Sequence, residues 1–123
     1  MNVVMIAVFG TAGVLARYAI DRWLVDSAGS FPLATFLINI SGSFLIGAIY
    51  AYGAEKNLLS EPVRLALTIG FLGGFTTFSA YSLQIIELAE GRLWAMAAAY
   101  LFLSPALGVL AAWLGLTVVR NTV

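Results

Sequence analysis

Four long apolar stretches dominate the sequence, at about 3–23, 32–52, 63–86 and 93–119. An α-helix rises about 1.5 Å per residue, so about 20 apolar residues cross the roughly 30 Å core of a bilayer. The connections are short, and only 10% of all residues are charged, against about 25% in soluble proteins. The sequence therefore predicts an all-α integral membrane protein in which 1–123 form one domain of four transmembrane helices.

The third stretch carries a signal for a break near its middle. Gly70, Gly73 and Gly74 precede the run Phe75-Thr76-Thr77-Phe78-Ser79. Glycine weakens a helix, and a membrane helix is interrupted only where other protein groups or water satisfy the freed backbone. A break here would free carbonyl oxygens, which can coordinate a cation.

Aromatic residues continue through the same region. Phe75, Phe78 and Tyr81 recur at three-residue intervals, a spacing that fits ordinary helix packing as well as a functional surface. Aromatic ring edges carry positive partial charge, so such rings can also face an anion where no basic side chain is present. The spacing alone leaves both interpretations open.

Lysine and arginine are distributed evenly between the two sides of the membrane. Basic residues usually mark the cytoplasmic side, but Lys56, Arg64 and Arg120 on one side balance Arg17, Arg22 and Arg92 on the other. The balance predicts dual-topology insertion, and inverted copies can pair around an axis in the membrane plane as an antiparallel homodimer. Alternatively, Arg17 is buried and is left out of the count, which leaves three basic residues on one side of the membrane against two on the other.

The second stretch has one small, polar face. Thr35, Asn39, Ser43 and Gly47 recur every four residues and so share one side of a helix. Ser43 and Gly47 are typical of close helix packing. Asn39 is costly at mid-membrane unless it is paired, and its amide either donates to a partly dehydrated anion or bonds another helix.

The fourth stretch repeats this spacing with Tyr100, Ser104 and Gly108. The phenol and the hydroxyl share a face, and both could donate to an anion. Ser104 could instead satisfy backbone carbonyls around Pro105, which has no N–H to donate.

Arg17 follows Gly10 and Gly13 by seven and four residues, which places a permanent charge on the close-packing face of the first span. It either attracts anions or braces a helix end.

Composition argues against several functions. The chain contains no histidine or cysteine, so the usual zinc ligands, thiolate nucleophiles and histidine bases are missing, and no enzymatic activity is expected. No basic run suits nucleic acid. A small cation or multidrug exchanger should carry a carboxylate within its first span, yet the first here is Asp21. A non-transporting membrane subunit, whose polar faces serve only helix contact, remains an alternative.

Four motifs together resemble the bacterial fluoride channels of the Fluc (CrcB) family. They are 10–18, Thr35 to Asn39, 42–45 and 73–79, and the similarity extends over essentially the whole chain. The resemblance implies an antiparallel, dual-topology homodimer in the cell inner membrane with two pores for fluoride efflux. It also implies a structural sodium ion at the dimer centre, with fluoride, lipid and a second copy of the chain as the partners.

The resemblance also assigns residues. It implies that Phe78 supplies a pore ring, that Arg17 lies in a vestibule or braces the structure, and that the carbonyls of Gly73 and Thr76 hold sodium. Tyr81 stands where relatives carry a second pore phenylalanine, and its hydroxyl could donate to the anion. The implied fluoride path comprises Thr35, Asn39, Phe78, Ser79, Tyr81, Gln84, Tyr100 and Ser104.

Two further positions depart from the pattern of relatives. Gln84 stands where a carboxylate is common, so an ionisable group is lost while amide donors remain. Gly108, at the third position of the span-four track, supplies no hydroxyl.

Overall fold

A computed structural model describes residues 1–25 and 28–123. Apart from short connections, all of this part of the chain is helical. Four helical segments are long and apolar enough to cross a membrane, which confirms that prediction: Asn2–Leu24, Leu33–Glu55, Glu61–Glu90 and Trp94–Thr122. The third is longer than predicted at both ends: its helix begins at Glu61, with Pro62 in the first turn, where a missing N–H costs nothing, and it continues to Glu90.

Helix α1 comprises Asn2–Leu24 and forms the first span. The second span consists of α2 (Leu33–Ile49) and a π-helical turn, Tyr50–Glu55. The third span contains α3 (Glu61–Leu65), a π-helical segment (Ala66–Leu72), α4 (Gly73–Phe75) and α5 (Phe78–Glu90), and the fourth span is α6 (Trp94–Thr122).

The third span is interrupted between α4 and α5. Thr76 has φ −82° and ψ 156°, and Thr77 has φ −150° and ψ 121°, so both residues are extended. The hydroxyl of Thr77 accepts a hydrogen bond from the backbone N–H of Ala80 at 3.2 Å, which is the interaction of an N-cap. Thr77 thereby starts α5 as a new helix.

The third span before this interruption packs closely on α1. A side chain at Gly13 would overlap the carbonyl of Phe71, and one at Gly74 would overlap the carbonyl of Gly10. The backbones therefore touch directly, as small residues allow in membrane helices.

Helices α2 and α6 form a second close contact, called the seam below. A Cβ at Gly47 would overlap the carbonyl of Ala112, and a Cβ at Gly115 would overlap the carbonyl of Phe44. The packing role predicted for Gly47 is confirmed.

Two clusters of buried side chains lie on opposite sides of the interruption. One contains Tyr81, Leu88, Ala97 and Tyr100, and the other contains Ile38, Leu72 and Phe75. The aromatic series of the third span is thus divided, because Phe75 packs in the second cluster while Tyr81 packs in the first.

Charged side chains at one end of the molecule tie the second and fourth spans together. The guanidinium of Arg120 donates from Nε and Nη2 to the two carboxylate oxygens of Glu55. Both groups lie at the last turns of their spans, so the ion pair marks a common end of the two helices.

Candidate functional site

A cavity of about 540 Å³ lies between α2, the interrupted third span and α6. Most of its wall is apolar, but polar groups from each span face it, among them Asn39, Thr76 and Ser104. Phe78 and Tyr81 add aromatic rings. The cavity combines a few polar groups with an apolar surround, which is the usual composition of a small-ligand site.

Asn39 is bonded to the extended backbone between α4 and α5. Its Oδ1 accepts from the N–H of Thr77 at 2.8 Å, and its Nδ2 donates to the carbonyl of Thr77 at 2.9 Å. The backbone N–H can only donate, which fixes the orientation of the amide. Of the two possibilities raised by the sequence, the interhelical bond is present, and it uses one of the two amide hydrogens.

This pair changes the hydrogen bonding of the preceding turn. In an uninterrupted helix, the N–H of Thr77 would donate to the carbonyl of Gly73, four residues earlier. Here it donates to Asn39 instead, which releases the Gly73 carbonyl. Thr76 keeps its link to the helix, because its N–H and its hydroxyl both donate to the carbonyl of Leu72, at 2.9 and 2.8 Å.

Arg17 satisfies another carbonyl at the end of α4. Its Nε donates to the carbonyl of Gly74 at 3.1 Å, and the side chain is half-buried. In a continuous helix this carbonyl would accept from Phe78, which instead begins α5. Of the two roles that the sequence left open for Arg17, bracing of a helix end is present, on the side of the third span that faces α1.

Phe78 and Ser79 begin α5 on an open surface. The ring of Phe78 is 80% exposed and lies 5.7 Å from the ring of Tyr81, centroid to centroid. Ser79 is also exposed, and its hydroxyl lies 3.4 Å from the hydroxyl of Thr77. Other apolar side chains on the spans are similarly exposed, such as Phe102 at 70%, so it is the position of Phe78 beside the break, rather than its exposure, that distinguishes it.

Tyr81 differs from Phe78 in being 8% exposed. Its hydroxyl donates to the carbonyl of Leu101 on α6 at 2.5 Å. A phenol has one hydrogen to donate, and in this structure it goes to Leu101 rather than towards the cavity. The ring still lines the cavity.

Three of the predicted track residues form a continuous chain of hydrogen bonds. The hydroxyl of Tyr100 donates to Oε1 of Gln84, and Nε2 of Gln84 donates to the hydroxyl of Thr35, both at 2.8 Å. Tyr100 is completely buried and Thr35 is 4% exposed. The amide at position 84 thus joins the second and fourth spans through the third.

Ser104 and Gly108 both line the cavity on α6. Ser104 is 7% exposed. Pro105 leaves the carbonyl of Leu101 without its helical donor, and the hydroxyl of Tyr81 donates to this carbonyl instead. Ser104 is therefore not needed to satisfy it, which was one of the two roles considered for this hydroxyl. Gly108 leaves room, since a Cβ would contact only the hydroxyl of Ser43, at 3.4 Å.

The predicted site residues fall into three groups. The first lines the main cavity, and its members are Asn39, Gly73, Thr76, Phe78, Tyr81 and Ser104. The second is the buried chain of Thr35, Gln84 and Tyr100, which reaches a smaller cavity of about 430 Å³ through Gln84. Arg17 and Ser79 lie outside both cavities in the described part of the chain.

Sequence reasoning missed the roles of Thr77 and Leu101. Thr77 is the partner of Asn39, and no side-chain pattern announces a backbone partner. The carbonyl of Leu101 could have been found, because any residue four positions before a proline in a helix loses its donor.

Comparison with known proteins gives a consistent result. A family profile described as CrcB-like protein, Camphor Resistance (CrcB), matches residues 4–116. The fluoride-specific ion channel FluC of Geotalea daltonii is 40% identical over 120 residues, which cover 97% of both chains. The protein of the same name from Geobacter sulfurreducens is 40% identical over 121 residues, or 98% of both chains.

A third relative, the fluoride-specific ion channel FluC 2 of Symbiobacterium thermophilum, is 40% identical over 111 residues, which are 89% of this chain and 90% of the relative. The resemblance predicted from the four sequence motifs is confirmed, and the four apolar spans agree with a multi-pass membrane protein. The chain belongs to the CrcB family.

Proposed function

We propose that this protein is a fluoride-selective ion channel that lets fluoride leave the cytoplasm passively. Relatives that align over nearly the whole chain carry the name fluoride-specific ion channel. Hydrogen fluoride crosses membranes as a neutral acid and ionises in the less acidic cytoplasm, so a passive path for the anion reduces its accumulation. The inner membrane is the site at which such a path is useful.

The observation that carries this proposal is the meeting of Asn39, the interrupted third span and Phe78 in one cavity. Fluoride is small and tightly hydrated, so a selective path must replace lost water with close donors. Asn39 has one amide hydrogen beyond the one given to Thr77, and Ser104 contributes a hydroxyl to the same wall. The positive edge of the Phe78 ring adds a weak attraction for an anion.

An antiparallel homodimer would complete this cavity. The carbonyl of Gly73 is released by the break and its residue is exposed, at a depth where lipid cannot donate a hydrogen bond; the ring of Phe78 beside it is 80% exposed. A second copy related by an axis in the membrane plane would cover both. The basic residues are even between the two sides, or differ by one if the half-buried Arg17 is left out, which permits both insertions. Such a dimer has two equivalent cavities and hence two pores.

A sodium ion fits the backbone between α4 and α5. The Gly73 carbonyl has lost the N–H of Thr77 to Asn39, and Thr76 has an extended backbone that turns its carbonyl out of the helical ladder. Carbonyl oxygens of irregular backbone are typical ligands for monovalent cations in membrane proteins. Two such oxygens from each copy would hold the ion at the dimer centre, where its charge would favour an anion nearby.

The direct test measures fluoride and chloride efflux from liposomes that contain only this purified protein. Selective fluoride release is expected. Absence of release from folded dimers would favour a non-transporting subunit, and equal chloride release would exclude selectivity.

Phe78→Ile examines the pore role within the same assay. The residue is exposed in the single chain, so its replacement should leave folding intact. Isoleucine also keeps an apolar surface for the second copy, so the dimer should still form while fluoride release is lost. Ile69→Val, at a position that is 60% exposed on the same span, is the matched control and should release fluoride normally. Normal release by Phe78→Ile would remove this ring from the pathway.

A further inference from the structure

Pro105 creates a defect in the hydrogen bonding of α6. It lies inside this helix and has no N–H, so the carbonyl of Leu101, four residues earlier, loses its normal donor. In a membrane helix such a carbonyl must be satisfied by another protein group or by water. The group that satisfies it therefore depends on the presence of the proline.

The hydroxyl of Tyr81 fills this place. It donates to the Leu101 carbonyl at 2.5 Å from a ring that is 8% exposed. The bond links α5, just after the interruption, to the middle of α6. It also fixes the direction of the Tyr81 ring, whose centroid lies 5.7 Å from that of Phe78.

The Leu101 carbonyl lies close to the main cavity, so the bond from Tyr81 can affect an anion in that cavity. A helical carbonyl points along the axis towards the residue four positions later, so the Leu101 oxygen points towards Pro105. Pro105, Ser104 and Tyr81 all line the main cavity. Leu101 itself does not line this cavity, so its oxygen lies behind the residues that do. An uncapped carbonyl in that position would present negative partial charge to an anion, because a low-dielectric wall screens the charge poorly.

We infer that Tyr81 is a positioning residue that caps a negative pole created by Pro105 behind the wall of the anion path. Tyr81 and Pro105 act as a matched pair, so the hydroxyl matters only while position 105 lacks an N–H. This inference rests on the proposed function, because the affected ligand is the fluoride ion.

A double-mutant cycle tests the pairing. Tyr81→Phe removes the cap, and the half-saturating fluoride concentration for flux should rise about tenfold, as expected for a lost hydrogen bond and an uncompensated dipole. Pro105→Ala restores an N–H for the Leu101 carbonyl. In that background, Tyr81→Phe should change the half-saturating concentration less than twofold.

Each variant is compared as a folded dimer, judged by gel filtration, and Tyr18→Phe serves as the control because Tyr18 is 63% exposed on α1. If Tyr81→Phe alone does not fold, Pro105→Ala is compared with the double variant instead. Equal half-saturating fluoride concentrations in these two proteins support the pairing of Tyr81 with Pro105. A tenfold loss that persists in the Pro105→Ala background would overturn the inference, as would a Tyr81→Phe channel identical to the parent. Lack of fluoride flux in the parent protein would instead refute the proposed function.

Discussion

Gly108 and Gly115 lie seven residues apart on the same face of α6, yet their surroundings are opposite. A Cβ at Gly115 would overlap the carbonyl of Phe44 in the seam, whereas a Cβ at Gly108 would meet only the Ser43 hydroxyl at 3.4 Å. The seam fixes the distance between α2 and α6, and the cavity begins where this contact opens. The width of the cavity is therefore set by the seam, where backbone contacts leave no space for a side chain at Gly115.

The largest effect is expected from Gly115→Ala in the seam. The added methyl cannot be placed without separating α6 from α2, since its neighbours are the carbonyl of Phe44 and the N–H of Ala48 rather than flexible side chains. Overpacking of this kind costs about 3 kcal/mol. Thermal unfolding in detergent should show a large loss of stability, and fluoride flux should disappear with it.

Gly108→Ala is the matched control for that experiment because it adds the same methyl to the same helix. Equal stability of the two variants would contradict the distinction between seam and cavity.

Asn39→Ala should produce the next largest effect, at the place where the cavity meets the interrupted helix. The substitution leaves both the N–H and the carbonyl of Thr77 without their partners, at a cost of about 2 kcal/mol. Flux should be lost even at temperatures where the variant stays folded. Unfolding curves and fluoride efflux, measured on the same preparation, distinguish the loss of stability from the loss of flux.

Ser43→Ala is the control for Asn39→Ala. Ser43 lies one turn further along α2 and also lines the cavity, but its hydroxyl donates only to the carbonyl of Asn39 in its own helix, at 2.7 Å. Near-normal stability and flux are expected. Equal damage from both substitutions would mean that loss of any polar group on this face is harmful, and that the bonds from Asn39 to Thr77 are not the specific cause.

The sequence allowed the spans and the packing face of α2 to be predicted, because each depends on a repeat along one helix. Gly47 in the seam illustrates this, since its spacing from Ser43 already indicated close packing. The sequence left two roles open for Arg17, and the structure shows the contact with a helix end. The family resemblance supplied the candidate pore residues, which spacing alone left ambiguous.

Other features depend on which backbone atoms meet across helices, and no periodic pattern contains that information. The hydroxyl of Tyr81 was expected to serve an anion, yet it bonds the carbonyl of Leu101. The amide of Asn39 pairs with main-chain atoms of Thr77, and the aromatic series divides at the extended residues. In each case a local backbone defect, at Pro105 or between α4 and α5, selects the partner.

Tyr100→Phe should have a moderate effect, because the buried chain uses side chains that can readjust. The variant removes the donor to Oε1 of Gln84 while the bond from Gln84 to Thr35 can remain. A loss of about 1 kcal/mol in the free energy of unfolding is expected, with reduced but measurable fluoride flux. Tyr52→Phe, at a half-exposed position, is the control, because it removes a phenolic hydroxyl that is not part of the buried hydrogen-bond chain. Complete loss of flux in Tyr100→Phe would show that the side chains of this hydrogen-bond chain cannot readjust.

Gly108→Ser should have the smallest effect on stability, because it adds a side chain in the cavity rather than in the seam. The new Cβ would lie 3.4 Å from the Ser43 hydroxyl, which is ordinary van der Waals contact with a side chain able to rotate. The free energy of unfolding should change by less than about 1 kcal/mol, as for other substitutions that create neither a clash nor an orphaned group. The added hydroxyl gives the cavity wall a second hydrogen-bond donor next to Ser104, so fluoride flux should stay the same or increase. Gly108→Ala is the control, because it adds a methyl group without a donor. A fall in flux with both variants would mean that free width at position 108, rather than hydrogen bonding, limits the passage of the ion.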